Sequence, residues 1–146
     1  MTLTEAAHQR VAFDTNVLVS ALLFHNSSSA VALQYAFAHG RVLISDLLLR
    51  ELTTVLLREK FNRYVDLDLR MGFVQRLQAR GELITTTSDL HECRDSKDNF
   101  VLNLAVDGKA ELIITGDADL LGLDPFRGSR ILSPSEYLQD TWKRGR

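Results

Sequence analysis

Short apolar runs alternate with longer segments of helical period along the chain, and this alternation limits the possible folds more than any other feature. Val11-Ala12-Phe13, Val42-Leu43-Ile44, Leu83-Ile84-Thr85-Thr86-Thr87, Leu112-Ile113-Ile114-Thr115 and Ile131-Leu132 read as strands. The segments between them read as helices. Asn16–Phe24 is the first, and a second is opened by Asn26-Ser27-Ser28-Ser29 and ended by His39-Gly40. Ser45 or Asp46 caps a third, in which Leu48, Leu52, Val55 and Leu56 recur at helical spacing. Asp66–Ala79 is stopped by Gly81, Asn99–Val106 follows Asp98, and Ser135–Trp142 follows Pro134. Strands alternating in this way with helices predict an α/β fold, a central parallel sheet covered on both faces.

Composition narrows the class. At 146 residues, 45% hydrophobic and 25% charged, the chain suits one soluble domain and excludes disordered, collagen-like and coiled-coil classes. Apolar runs such as Val17–Phe24 fall short of a membrane span, and MTLTEAAHQR has no signal-peptide pattern. Cys93 stands alone, which rules out an intrachain disulfide and fits a reducing compartment, so the expected location is the cytoplasm. His91-Glu92-Cys93 finds no further soft ligands at suitable spacing, so zinc is rejected. With 17 basic and 19 acidic side chains the net charge is −2, and nothing global attracts a polyanion. A chain like this handles nucleic acid only through locally placed cations or through metal ions.

The acids are placed suggestively. Asp14 ends the first strand and Asp117 follows the fourth, at the edge where parallel sheets carry their binding crevice. Taken singly, Asp14 is explained as a helix cap, Asp98 as another, and Asp117 as a turn residue after Gly116. Glu51 lies too deep in its helix to cap and falls at the margin of the apolar stripe, where a solvated glutamate is ordinary. Asp95 and Asp119 read as loop or capping residues. Together these acids would repel one another unless divalent cations lay between them. Oxygen-only ligands select Mg²⁺ or Mn²⁺, and such acidic cages serve phosphodiester hydrolysis.

VAFDTNVLVSALL, SDLLLRELTTVLLREKF, DSKDNFVLNLA, LIITGDADLL and the ending ILSPSEYL, in this order, resemble the motif series of PIN-domain ribonucleases, and most nearly the PIN-family toxin components of bacterial toxin–antitoxin pairs. The resemblance covers about Arg10 to Leu138. It implies a three-layer α/β/α, Rossmann-like domain over residues 10–140, flanked by a flexible segment at 1–9 and a basic tail at 141–146. Carried over by position, the catalytic and metal-binding acids are Asp14, Glu51, Asp98 and Asp117. Asn16 and Thr115 match polar positions supporting the first and fourth acids, and Asp95 and Asp119 match accessory acids. Ser96 stands where relatives often have proline, and FVLNLA is slightly unusual at that helix start, but neither departure removes an acid. The resemblance further implies Mg²⁺- or Mn²⁺-dependent cleavage of single-stranded RNA, homodimers or larger homo-oligomers, and inhibition by a small cognate antitoxin.

Arg58, Lys60 and Arg63 cluster at the end of the Glu51 helix. They read either as cations favoured at a helix C-terminus or as a rim contacting RNA phosphates. Tyr64 and Phe61 beside them fit core packing better than base stacking. Two rival functions are weighed against the nuclease: a catalytically idle RNA- or protein-binding module, and a phosphoryl-aspartate switch. The switch would need paired acids at the first strand and an acceptor aspartate after the third, where the chain has Thr85-Thr86-Thr87.

Overall fold

The computed structural model describes residues 9–87 and 98–144; the side chains of Asp98 and of residues 142–144 fall outside that description, as does Asp95. Five strands form one sheet, β1 (Gln9–Phe13), β2 (Gly40–Ile44), β3 (Glu82–Leu83), β4 (Leu112–Ile114) and β5 (Arg130–Leu132). They run in the order β3-β2-β1-β4-β5, and every neighbouring pair is parallel. The helices are α1 (Thr15–Leu23), α2 (Ser28–His39), α3 (Asp46–Leu56), α4 (Leu67–Arg80), α5 (Asp98–Gly108), α6 (Ala118–Leu121) and α7 (Pro134–Arg144), with a 3-10 turn at Glu59–Phe61. They cover both faces of the sheet in a three-layer α/β/α architecture. Val11, Ala12 and Phe13 of β1 and Val42, Leu43 and Ile44 of β2 are all buried, as strands covered on both sides must be.

Local chemistry explains most boundaries. Ser27 caps α2 and Ser45 caps α3, each side-chain oxygen accepting from a backbone N–H in the first turn. The chain turns by 104° between α1 and α2, which folds both apolar helices back onto the core. Ser133 and Glu136 form a reciprocal capping box at α7: Glu136 N donates to Ser133 Oγ at 3.1 Å and Ser133 N to Glu136 Oε1 at 3.0 Å. That helix continues to Arg144, so residues 141–144, expected as tail, are helical. Among the described residues no single helix is long and apolar enough to cross a bilayer.

The third strand departs from expectation. Its β-branched run Thr85-Thr86-Thr87 is not strand; pairing ends after Ile84 N donates to Ile44 O at 2.8 Å. Thr87 N then donates to Asp107 Oδ2 at 2.7 Å, drawing the chain toward the end of α5. A sheet edge this short offers little template for pairing with another chain.

Gly40 begins β2 where α2 ends against the sheet. A Cβ there would lie 2.5 Å from the backbone oxygen of Gln9, its register partner, and backbone cannot swing aside. Gly40→Ala should therefore destabilise the domain by about 1–3 kcal/mol, as overpacking does. Thermal unfolding will read this as a drop in Tm.

Candidate active site

The strand order places the site. Leaving β1, the chain builds β2 and β3 on one side and only later returns to lay β4 and β5 on the other. The carboxyl ends of β1 and β4 thus flank the switch point where open parallel sheets bind ligands. Asp14 follows β1 and Thr115-Gly116-Asp117 follows β4. Asp14 N donates to Ile114 O at 3.1 Å and Thr115 N to Leu132 O at 3.0 Å, so the ladder continues one residue beyond the strands and holds both in register.

Asp14 is 4% exposed, and each of its oxygens has a donor. Oδ1 accepts from Val17 N at 2.8 Å, capping α1. Oδ2 accepts from the Thr115 hydroxyl. Asp117 N in turn donates to Thr115 Oγ1 at 3.0 Å, which uses one hydroxyl lone pair and turns the proton toward Asp14. Asp117 Oδ1 accepts from Asp119 N at 2.7 Å, capping the short α6. The capping reading of Asp14 is therefore correct, whereas Asp117, expected as a turn residue, also caps a helix; both roles coexist with the hydrogen bonds that link the two through Thr115.

Burial pushes the Asp14 carboxyl above the ordinary aspartate value of 3.8, against the hydrogen bonds from Thr115 and Val17. The neighbouring Asp117 charge pushes in the same upward direction. Among the described residues no cation offsets these two effects. The donors are oxygens alone, so the pair fits a hard divalent ion such as Mg²⁺ or Mn²⁺.

The other expected residues are spread along neighbouring elements. Asn16 is exposed in the first turn of α1, two residues past Asp14. Glu51 is half-buried in the middle of α3, among the buried Leu48, Leu52 and Val55, as its position on the stripe implies. Asp98 is the first residue of α5. Arg58, Lys60 and Arg63 are exposed on the segment joining α3 to α4. Of the predicted set, the structure links Asp14, Thr115, Asp117 and Asp119 through direct hydrogen bonds. Among the described residues, no group of three or more His, Cys, Asp or Glu side chains is gathered closely enough to hold a metal. Asp95 and the Asp98 side chain, both expected at the site, lie outside the described residues.

Sequence reasoning passed over one feature. A groove of about 470 Å³ runs between α1, α2 and α4, with Leu33, Phe73 and Leu77 in its floor and His25, Arg76 and Arg80 around it. No acid lines it. Phe73, Arg76, Leu77 and Arg80 recur at helical spacing, a stripe that reads as core face alone unless its two arginines are noticed.

An α/β domain with a buried aspartate joined to a second at its switch point is the class this geometry defines. The family model of the PIN domain matches residues 10–119, and the chain belongs to that family. Uncharacterized protein MJ1680 of Methanocaldococcus jannaschii is 32% identical over 116 residues, spanning 78% of this chain and 74% of that protein. Two solved structures share the fold. One is VapBC2 from Rickettsia felis bound to a DNA fragment from their promoter, with a TM-score of 0.57 at 13% identity over 84% of this chain and 97% of that one. The other is PAE2754 from Pyrobaculum aerophilum, with a TM-score of 0.55 at 12% identity over 93% of this chain and 91% of that one.

The raised Asp14 pKa carries a sign. The folded state holds its proton more tightly than the unfolded state, so the metal-free protein loses stability as pH rises from about 3.8 through the raised value. Asn caps as well as Asp, and its amide N–H can donate to Thr115 Oγ. Asp14→Asn should therefore unfold at a higher temperature than wild type at neutral pH without metal, the difference vanishing below pH 3.8. Melting curves in EDTA across this range test it; a variant less stable than wild type at neutral pH would show that the carboxylate is not under strain.

Proposed function

We propose that this protein is a metal-dependent endoribonuclease that cleaves single-stranded RNA and acts in the cytoplasm as the toxin of a toxin–antitoxin pair. The observation that carries the reading is the Asp14–Thr115–Asp117 relay at the β1/β4 switch point. The motif series, membership of the PIN-domain family and the fold shared with a VapBC complex support it.

In this reading Asp14 and Asp117, with Glu51 and Asp98 from α3 and α5, hold one or more Mg²⁺ or Mn²⁺ ions. Such an ion, when bound, activates water and neutralises phosphate charge. The chain's own residues supply orientation. Thr115 aims its proton at Asp14 and so keeps that carboxylate a pure acceptor, while the α1 amide of Val17 fixes its other oxygen. Asn16 stands at the crevice mouth as a polar support, with Asp95 and Asp119 as accessory acids. Arg58, Lys60 and Arg63 form a rim that holds phosphates of the bound strand. The antitoxin is a small partner whose acidic, amphipathic segment suits the groove between α1, α2 and α4, because its rim is cationic and its floor apolar. Homodimers or larger homo-oligomers complete the picture.

Asp14→Asn, Asp98→Asn and Asp117→Asn should each abolish Mn²⁺-supported cleavage of single-stranded RNA while the fold is retained. Glu51→Gln should reduce cleavage severely and leave a residue of activity. In wild type, a cation at ten times its dissociation constant adds about 1.4 kcal/mol of stability. Asp117→Asn should shrink that gain. If purified wild type neither cleaves RNA nor gains stability from Mg²⁺ or Mn²⁺, the nuclease reading fails, and the idle-module alternative replaces it.

A further inference from the structure

Arg70, in the first turns of α4, is 1% exposed and the bulkiest of the fully buried side chains. Its head group points away from its own helix, at the end of α3. Nη1 donates to Leu56 O at 2.6 Å and to Arg58 O at 3.4 Å, and Nη2 donates to Asn62 Oδ1 at 2.6 Å. Nε is buried and, among the described residues, has no hydrogen-bond partner. Among the described residues no ion pair joins this guanidinium to a carboxylate. A permanently charged group buried on these terms is a poor source of stability, since an apolar side chain of similar size commonly does as well. Its donors serve something else. All three bonds end on the segment from Leu56 to Asn62, tying the last turn of α3, the 3-10 turn and Asn62 to α4.

That segment carries the basic rim. Arg58, Lys60 and Arg63 project from it into solvent, and their own side chains do little to hold it, Lys60 lying over Phe61 at 5.1 Å and Arg63 near Tyr64 at 5.9 Å. A helix rises about 1.5 Å per residue, so the segment starts roughly 8 Å beyond Glu51 along α3. A flexible loop of cations would lose conformational freedom on meeting a phosphate chain, whereas a loop fixed in advance loses less.

We propose that Arg70 is a positioning residue: from inside the fold it presets the 57–65 segment so that Arg58, Lys60 and Arg63 present an ordered row of cations to a single-stranded polyanion lying across the acidic crevice. This rests on the nuclease reading, but concerns substrate affinity and leaves the chemical step untouched. Asn62 is exposed, and Asn62→Ala cuts one strand of the clasp without opening the core. Arg70→Lys keeps the charge and one carbonyl contact but cannot reach both carbonyls and Asn62 together.

The probe is a fluorescein-labelled single-stranded RNA, bound in EDTA over a series of salt concentrations, with cleavage then measured in Mn²⁺. Hydrogen exchange of the 57–65 amides reports whether the clasp has opened. For Asn62→Ala we expect faster exchange in that segment, a several-fold rise in Kd and in KM, and an unchanged kcat. Arg70→Lys should move the same quantities further. The Arg58/Lys60/Arg63 triple alanine variant, with its shallower salt dependence, marks the limit they approach. Faster exchange with Kd and KM unaltered overturns the proposal, as does exchange that neither variant changes. A loss confined to kcat overturns it too. If wild type cleaves RNA and the variants bind it normally, the proposal fails alone; if wild type neither binds nor cleaves RNA, both readings fail.

Discussion

An aspartate buried at the end of an apolar strand is a liability unless every lone pair facing protein is answered, and the arrangement around Asp14 is organised by that requirement. One oxygen is answered by the start of α1 and the other by a hydroxyl from across the sheet. The hydroxyl can donate because its own lone pair is engaged by the Asp117 amide. These bonds exist only where β1 and β4 lie side by side, so the order of strands, the cap of α1 and the meeting of two acids are one structural fact. The residual strain, a carboxyl raised by burial and by its acidic neighbour, is what the hydrogen bonds do not remove.

The same economy appears elsewhere in lower stakes. Asp124 pairs with Arg130 at 3.0 Å and also accepts from Ile131 N at 2.7 Å, fixing the turn that enters β5. There the cation holds the Asp124 carboxyl below its ordinary value, the opposite direction from Asp14. The two aspartates have the same chemistry and contrary environments. One is paired with a cation and fixes a turn; the other is held by a hydroxyl and a backbone amide, with a second acid as its neighbour.

Much of this was legible in the sequence because it was written in period and position. The uniformly apolar runs around Val42 and Ile113, the serine caps and the strand-end aspartates required no knowledge of the fold to locate. Strand order was not legible, since nothing local in β4 says it will pair with β1 rather than β3. The third strand misled because β-branching at Thr85–Thr87 records a preference that a competing contact, Asp107 with the Thr87 amide, overrides. Arg70 was invisible for a related reason: an arginine in a helix reads as a surface residue, and only the tertiary fold brings the carbonyls of Leu56 and Arg58 within its reach. For the site, Asp14 and Asp117 were readable as strand-end acids, whereas Thr115 entered only through resemblance as a supporting polar position, and its bond to Asp14 is visible only in the fold.

The hydroxyl bridge from Thr115 to Asp14 spans 101 positions of sequence. A chain emerging from the ribosome can pair β1 with β2 early, but its first aspartate must wait for nearly the whole domain before the second arrives. Until then Asp14 has neither the Thr115 hydroxyl nor Asp117 beside it. The Asp14–Thr115 contact therefore forms late in synthesis, and a truncated product ending before β4 has no partner for the Asp14 Oδ2 atom.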